Sequence, residues 1–242
     1  MSVRVIERVS IGGAIARFVG MVLLAGHLLA SGVVMAEGYD NPDPWEPMNR
    51  TVFQFNEGLD KYLLKPVAEG YVSGVPEPMR GLVSTFYDTS FAPADGLNLM
   101  LQGEPVRGFK QISRFLINCI LGMVCLVDVA DSFGIPADST NLGTTLGKWG
   151  VGDGPYLMVP LLGPHTLRDA ATIYPSSLMW AGAYVDGSDR RTALLLGLIV
   201  EKRAGLLKAE ELIIGDKYSF IRDAYLQKRR YDITGEEPED DF

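Results

Sequence analysis

An all-α fold is what this sequence predicts, and three observations carry the prediction. Apolar residues recur at spacings of three and four along most of the chain, which gathers them onto single helix faces. No stretch sustains the alternation of a half-buried strand, so strands are at most a minor element. Proline sits beside an acidic residue where helices should begin, at Asp43-Pro44, Pro76-Glu77-Pro78 and Glu104-Pro105. With 242 residues, 47% of them hydrophobic, the chain can build one large domain or two small ones.

Arg4, Arg8 and Arg17 precede Phe18 to Ala36, an apolar stretch ending in Val34-Met35-Ala36. A basic region, an apolar region and small residues at a cleavage position read as an export signal over 1–36, cut after Ala36. An uncleaved anchor is the competing reading, because the apolar stretch is long enough to span a bilayer. Val33 follows Ala30-Ser31-Gly32 and the first cysteine is Cys119, so N-terminal lipidation is not expected.

Residues 37–230 are expected to form one helical domain. Asp43 is placed to cap a first helix whose Met48, Val52, Phe55, Leu59 and Tyr62 share a face. Pro66 should end or kink it. A second helix starts at Pro76-Glu77-Pro78 and is expected to break at Ala92-Pro93. Leu97, Leu99, Met100 and Leu101 then make a short piece closed by Gly103. The next helix stacks Val106, Phe109, Ile112 and Leu116.

Phe115 to Val129 is apolar except for Asn118 and Asp128. Fifteen residues are too short to cross a hydrocarbon core as one helix. They suit either a buried core helix or a re-entrant hairpin turning at Gly122. Cys119 and Cys125 lie in this run. Six residues of helix rise about 9 Å, too far for a bridge unless the chain reverses between them, so buried free thiols are expected.

Further on, Gly143, Gly147, Gly150, Gly152, Gly154 and Gly163 mark turns that let Tyr156 to Leu162 pack closely. Their spacing fits neither a phosphate loop nor a dinucleotide loop. Arg191 to Ile214 reads as a long helix, and a last helix from Gly215-Asp216 runs through Arg230. There Tyr218, Ile221, Tyr225 and Leu226 face inward while Arg222, Lys228 and Arg229 face out. Residues 231–242, with five acids between Glu236 and Asp241, read as a solvated disordered tail.

Net charge is −8, and −10 once the basic first 36 residues are set aside. An acidic body excludes nucleic acid as a partner and leaves apolar surface as the only basis for membrane contact. His165 is the single histidine after the signal. It is expected at a helix N-terminus, within reach of Asp169, but it has no nucleophile to activate. No nucleophile elbow and no metal-binding motif is present, so neither an enzyme nor a metal or cofactor site is expected.

Several ordered segments resemble the MlaA/VacJ family. Asp43-Pro44-Trp45-Glu46-Pro47-Met48-Asn49-Arg50 and Phe53-Gln54-Phe55-Asn56 are similar to its opening signature. Val75-Pro76-Glu77-Pro78-Met79-Arg80, Leu101-Gln102-Gly103 and Arg114-Phe115-Leu116-Ile117-Asn118 continue it. So do Leu142-Gly143-Thr144-Thr145-Leu146-Gly147, Pro160-Leu161-Leu162-Gly163-Pro164 and Arg222-Asp223-Ala224-Tyr225. The resemblance spans about Asp43 to Arg230.

It implies a ring of amphipathic helices in the inner leaflet of the outer membrane, with a central passage for phospholipid. The implied partners are phospholipid, trimeric porins and a periplasmic lipid carrier. The implied task is removing misplaced phospholipid from the outer leaflet. On that view Phe115, Leu116, Leu121, Met123 and Leu126 form a membrane hairpin. Asn56, Asn98, Gln102, Arg114 and Asn118 are candidates to line the path, because each interrupts an apolar helical pattern. Capping or bridging helices is the competing role for each. The alternative function is a soluble periplasmic lipid-binding carrier.

Overall fold

The computed structural model describes residues 41–210 and 213–236. The export segment expected at 1–36 lies outside them, as does the acidic stretch from 237. The described chain is helical apart from one two-stranded sheet.

Helix α1 (Glu46–Leu59) passes through a single π turn (Asp60–Leu64) into α2 (Lys65–Gly74). Pro66 cannot donate to the Tyr62 carbonyl, and the wider π turn absorbs that defect without ending the rod. Asp43 does not cap α1. Trp45 occupies that position, and buried Asp43 accepts instead from Asn49 (2.8 Å) and the Tyr218 hydroxyl (2.5 Å).

Helix α3 (Glu77–Leu101) is continuous through Pro93, where the sequence predicts a break. It packs antiparallel on α4 (Pro105–Ile120) through the tight turn at Gly103 (φ +83°). The two helices meet backbone to backbone where Gly96 and Gly108 cross. A Cβ on either would lie 2.8 or 2.6 Å from the other's carbonyl oxygen. That contact holds α3 after Pro93, and Asn118 of α4 donates to the Thr89 hydroxyl (3.3 Å) before it, so packing on both sides overrides the lost hydrogen bond.

After α4 the chain reverses at Gly122 and enters α5 (Val129–Ser132), capped by Asp128. Cys119 and Cys125 are joined by a disulfide rather than free. A straight helix would have kept them apart, and the reversal at Gly122 brings them together.

Helix α6 (Leu142–Lys148) is capped by the Asn141 side chain, 3.0 Å from the Thr144 N–H. Strand β1 (Tyr156–Val159) pairs antiparallel with β2 (Gly163–Thr166), in register from Tyr156↔Thr166 to Val159↔Gly163. Then come α7 (Leu167–Met179), a 3-10 turn (Ala181–Tyr184), α8 (Ser188–Glu210) and α9 (Lys217–Thr234). Helix α9 runs four residues past Arg230 to Gly235, whose φ of +72° stops it. An apolar cluster of Tyr156, Met158 and Tyr218 joins β1 to α9, with Val52 and Phe53 of α1 packed on it.

Candidate functional site

The distribution of side chains is inverted over much of the molecule. Polar residues hold its elements together from within, and large apolar residues face outward.

Four polar braces form the inside. In the first, Asn49 and Asn56 lie two turns apart on α1 and hold the β1–β2 hairpin by its backbone. Fully buried Asn49 donates to the Tyr156 carbonyl (3.0 Å) and accepts from the Met158 N–H (2.9 Å). Asn56 donates to the Val159 carbonyl (3.0 Å) and accepts from the Leu161 N–H (2.8 Å). An amide side chain supplies both a donor and an acceptor, so it can dock on a strand edge.

The second brace joins α3 to α6. Asn98 accepts from the Thr145 hydroxyl (2.9 Å), and Gln102 donates to both Thr140 and Thr145 (2.9 Å each). Beneath them Asp95 accepts from the Thr140 N–H (2.9 Å). Burial pushes the Asp95 carboxyl up to about 7, with Asp138 and Asp88 adding to the rise and the Thr140 hydrogen bond opposing it.

The third brace closes the base of the 121–127 reversal. Arg114 pairs with Asp128 and donates to the Ile135 carbonyl (2.5 Å). Fully buried Asn118 donates to Asp128 (3.1 Å) and accepts from the Ala130 N–H (2.8 Å).

The fourth brace corrects the outward placement of Arg229. Only 5% exposed, Arg229 grips Asp169 of α7 through two hydrogen bonds of 2.7 and 2.8 Å. Tyr225 adds a third at 2.5 Å. Burial raises the Asp169 carboxyl, but Arg229, Tyr225 and the Arg168 charge outweigh it and hold the group below the usual range. Asp169 is thereby unavailable to His165, which sits in β2 rather than at a helix start and contacts the Gly163 carbonyl (3.2 Å). Arg222 is also drawn inward, 3.6 Å from Asp43, whereas Lys228 faces out as expected. Gly143 belongs to this brace, because a Cβ there would meet the Asp169 carboxylate at 2.2 Å.

All five polar positions singled out in the sequence therefore bond to protein neighbours, and the structure spreads them over three braces. Sequence pattern missed Tyr71, Arg80 and Glu201, on α2, α3 and α8. Tyr71 Oη and Arg80 Nε are buried without a hydrogen-bond partner among the described residues, and Glu201 Oε2 has only the Lys202 ammonium, at 3.5 Å. Burial raises the Tyr71 hydroxyl; Glu201 raises it further and Arg80 lowers it, which places all three groups in one neighbourhood. No periodicity would have grouped three side chains on three helices.

The outer faces are apolar. Met48 and Phe55 on α1 and Tyr62 in the π turn, all of the predicted stripe, are exposed. On α4, Val106, Phe109 and Ile120 are 70, 64 and 74% exposed. The stripe continues through the reversal, with Leu116, Leu121 and Met123 exposed and Phe115 and Leu126 half-buried. The run is not hidden as a core helix would be: its first six residues end α4, and the chain then reverses at Gly122 with its apolar side chains exposed or half-buried. A cleft of about 500 Å³ lies between the 138–141 segment and the end of α9. Arg107, Asp138, Lys148, Lys228 and Asp232 line it, a wall unsuited to an acyl chain.

This arrangement has counterparts of known sequence. A match to the family described as MlaA lipoprotein covers residues 41–232. The chain belongs to the MlaA family. Its relatives include the intermembrane phospholipid transport system lipoprotein MlaA of Escherichia coli, 37% identical over 208 residues, 81% of this chain and 80% of that one. The protein of the same description from Haemophilus influenzae is 30% identical over 205 residues, 79% of each chain. A solved structure described as "Structural basis for maintenance of bacterial outer membrane lipid asymmetry" superposes with a TM-score of 0.67 at 36% identity. It covers 79% of this chain and 99% of that one. The mostly helical fold and the family expected from the sequence both stand.

Proposed function

We propose that this chain is a passive phospholipid conduit of the outer membrane. It would take phospholipid misplaced in the outer leaflet and pass it to a periplasmic carrier, maintaining the lipid asymmetry of that membrane. The observation that carries this reading is the inversion itself: buried amides and ion pairs beneath exposed Phe55, Val106, Phe109, Ile120 and Met123.

No described helix is long and apolar enough to cross a membrane. On this reading helices α1 to α9 form a ring that lies in one leaflet at the periplasmic face. Phe115, Leu116, Leu121, Met123 and Leu126 enter the acyl region. Each fully buried side chain of this kind is worth about 1.5–3 kcal/mol, so four or five together outweigh thermal energy several-fold. A soluble carrier would have to leave the same surface in water, which disfavours it.

Asn56, Asn98, Gln102, Arg114 and Asn118 would serve the path by fixing its walls. Tyr71, Arg80 and Glu201 retain unspent hydrogen-bonding capacity and are the groups proposed to meet a head group. No bond is made or broken in such transfer, so no catalytic residue is assigned. Trimeric porins and a periplasmic carrier remain the proposed partners.

The test is deletion of the gene followed by labelling of outer-leaflet phospholipid. The conduit reading expects that lipid to accumulate, and to fall again when the intact chain is restored. Unchanged outer-leaflet phospholipid after deletion would refute it.

A further inference from the structure

The apolar reversal after α4 is closed covalently. Cys119 in the last turn of α4 is bonded to Cys125 on the returning limb, spanning Gly122. Gly122 is required there, because a Cβ would meet the Val127 carbonyl at 2.2 Å and the Asn118 carbonyl at 2.5 Å. Met123, Val124 and Cys125 then adopt φ values of 53, 61 and 67° in succession. Three consecutive non-glycine residues in the left-handed region, one of them β-branched, make a conformation that an unrestrained chain leaves.

Two features oppose that relaxation. The first is a set of backbone hydrogen bonds: Cys125 N–H to the Asn118 carbonyl (3.1 Å), and Leu126 and Val127 N–H to the Gly122 carbonyl (2.9 Å each). The second is the disulfide. Below it the Asn118–Asp128–Arg114 brace anchors both limbs, so the bond acts on the tip alone. At the tip Met123 and Val124 are 71 and 75% exposed, and no charged side chain lies between Arg114 and Asp128.

We propose that the Cys119–Cys125 disulfide presets this tip for insertion into a lipid layer, so that membrane binding depends on the pair being oxidised. The inference rests on the conduit reading, in which the hairpin lies in lipid. A lipid layer supplies no hydrogen bonds, so a turn entering it must satisfy its own N–H groups. The stapled turn does so for residues 125 to 127 while presenting its apolar side chains together. Opened, it would have to be ordered on binding, a cost that preorganisation avoids.

The experiment floats the full-length protein on phosphatidylethanolamine–phosphatidylglycerol vesicles in three forms: oxidised, reduced with a phosphine, and Cys119→Ala/Cys125→Ala. Far-UV circular dichroism checks that all three keep the helical fold. Oxidised protein should float. The reduced and alanine forms should partition roughly tenfold less, equivalent to about 1.4 kcal/mol, and the alanine form should ignore the reductant. Met123→Asp, with its disulfide intact, should also lose binding. Equal flotation of all three forms would overturn the staple and leave the membrane reading standing. Failure of the oxidised wild type to float would sink that reading and the staple together.

Discussion

Replacing Asp169 by Ala removes the partner that Arg229 reaches from α9. The guanidinium is 5% exposed, and after the change it keeps only Thr144 at 2.9 Å and weaker contacts to Asn141 and Asp232 at 3.4 and 3.5 Å. Breaking a buried pair by removing one member costs about 3–5 kcal/mol, because the remaining charge stays desolvated. Against a total stability of roughly 5–15 kcal/mol that is a large fraction. For a chain of this size it lowers Tm by roughly 6–20 °C. Urea unfolding in mild detergent, followed by far-UV circular dichroism, measures it directly.

The same pair sets a pH dependence. The folded Asp169 carboxyl titrates below its unfolded value, since Arg229 and Tyr225 outweigh its burial. Its stabilisation is therefore fully present above the unfolded carboxylate value of about 4 and is lost as pH falls through the folded one. The difference between wild type and Asp169→Ala should shrink below about pH 4. A difference under about 1 kcal/mol at neutral pH, or one that stays constant under acid, would refute the assignment.

Three further outcomes follow from the braces and from the α3–α4 crossing. Asp95 is held up to about 7 by burial, so the native state binds its proton more tightly than the unfolded chain and loses stability as pH rises from about 4 to 7. Asp95→Asn should therefore raise Tm at pH 8 but not at pH 4, by up to about 4 kcal/mol of stability; an equal effect at both would contradict the cause given. Asn49→Ala strands the Tyr156 carbonyl and the Met158 N–H, costing roughly 2–4 kcal/mol and quickening hydrogen exchange in β1; unchanged β1 exchange would count against it. Gly96→Val drives a side chain into the Gly108 carbonyl, 2.8 Å from the Cβ, and should lower Tm with loss of the α3–α4 contact. A variant as stable as wild type would show that the crossing is not tight.

Helices and their starts were legible because period and proline chemistry are local. The predicted stripes of α1 and α4 were correct as faces. What the pattern could not say is which medium those faces meet, since a stripe reads the same against a core or against lipid. Tertiary contacts account for the misplacements. Pro93 stays helical because α4 holds α3 on both sides of it, through Asn118 on Thr89 and Gly108 on Gly96. Asp43 leaves its cap for Tyr218, and Arg229 turns inward because Asp169 waits 60 residues away. The disulfide is invisible to helical spacing, which sets Cys119 and Cys125 about 9 Å apart, and it depends on the reversal at Gly122. The five polar residues were visible as interruptions, but their partners lie on other elements, beyond the reach of spacing.

Everything turns on whether the exposed faces of α1, α4 and the 121–127 reversal lie in lipid. Washing isolated outer membranes with alkaline carbonate asks this most directly. The protein should stay with the membrane pellet, and should be released by detergent alone. Complete recovery in the carbonate supernatant would contradict the account.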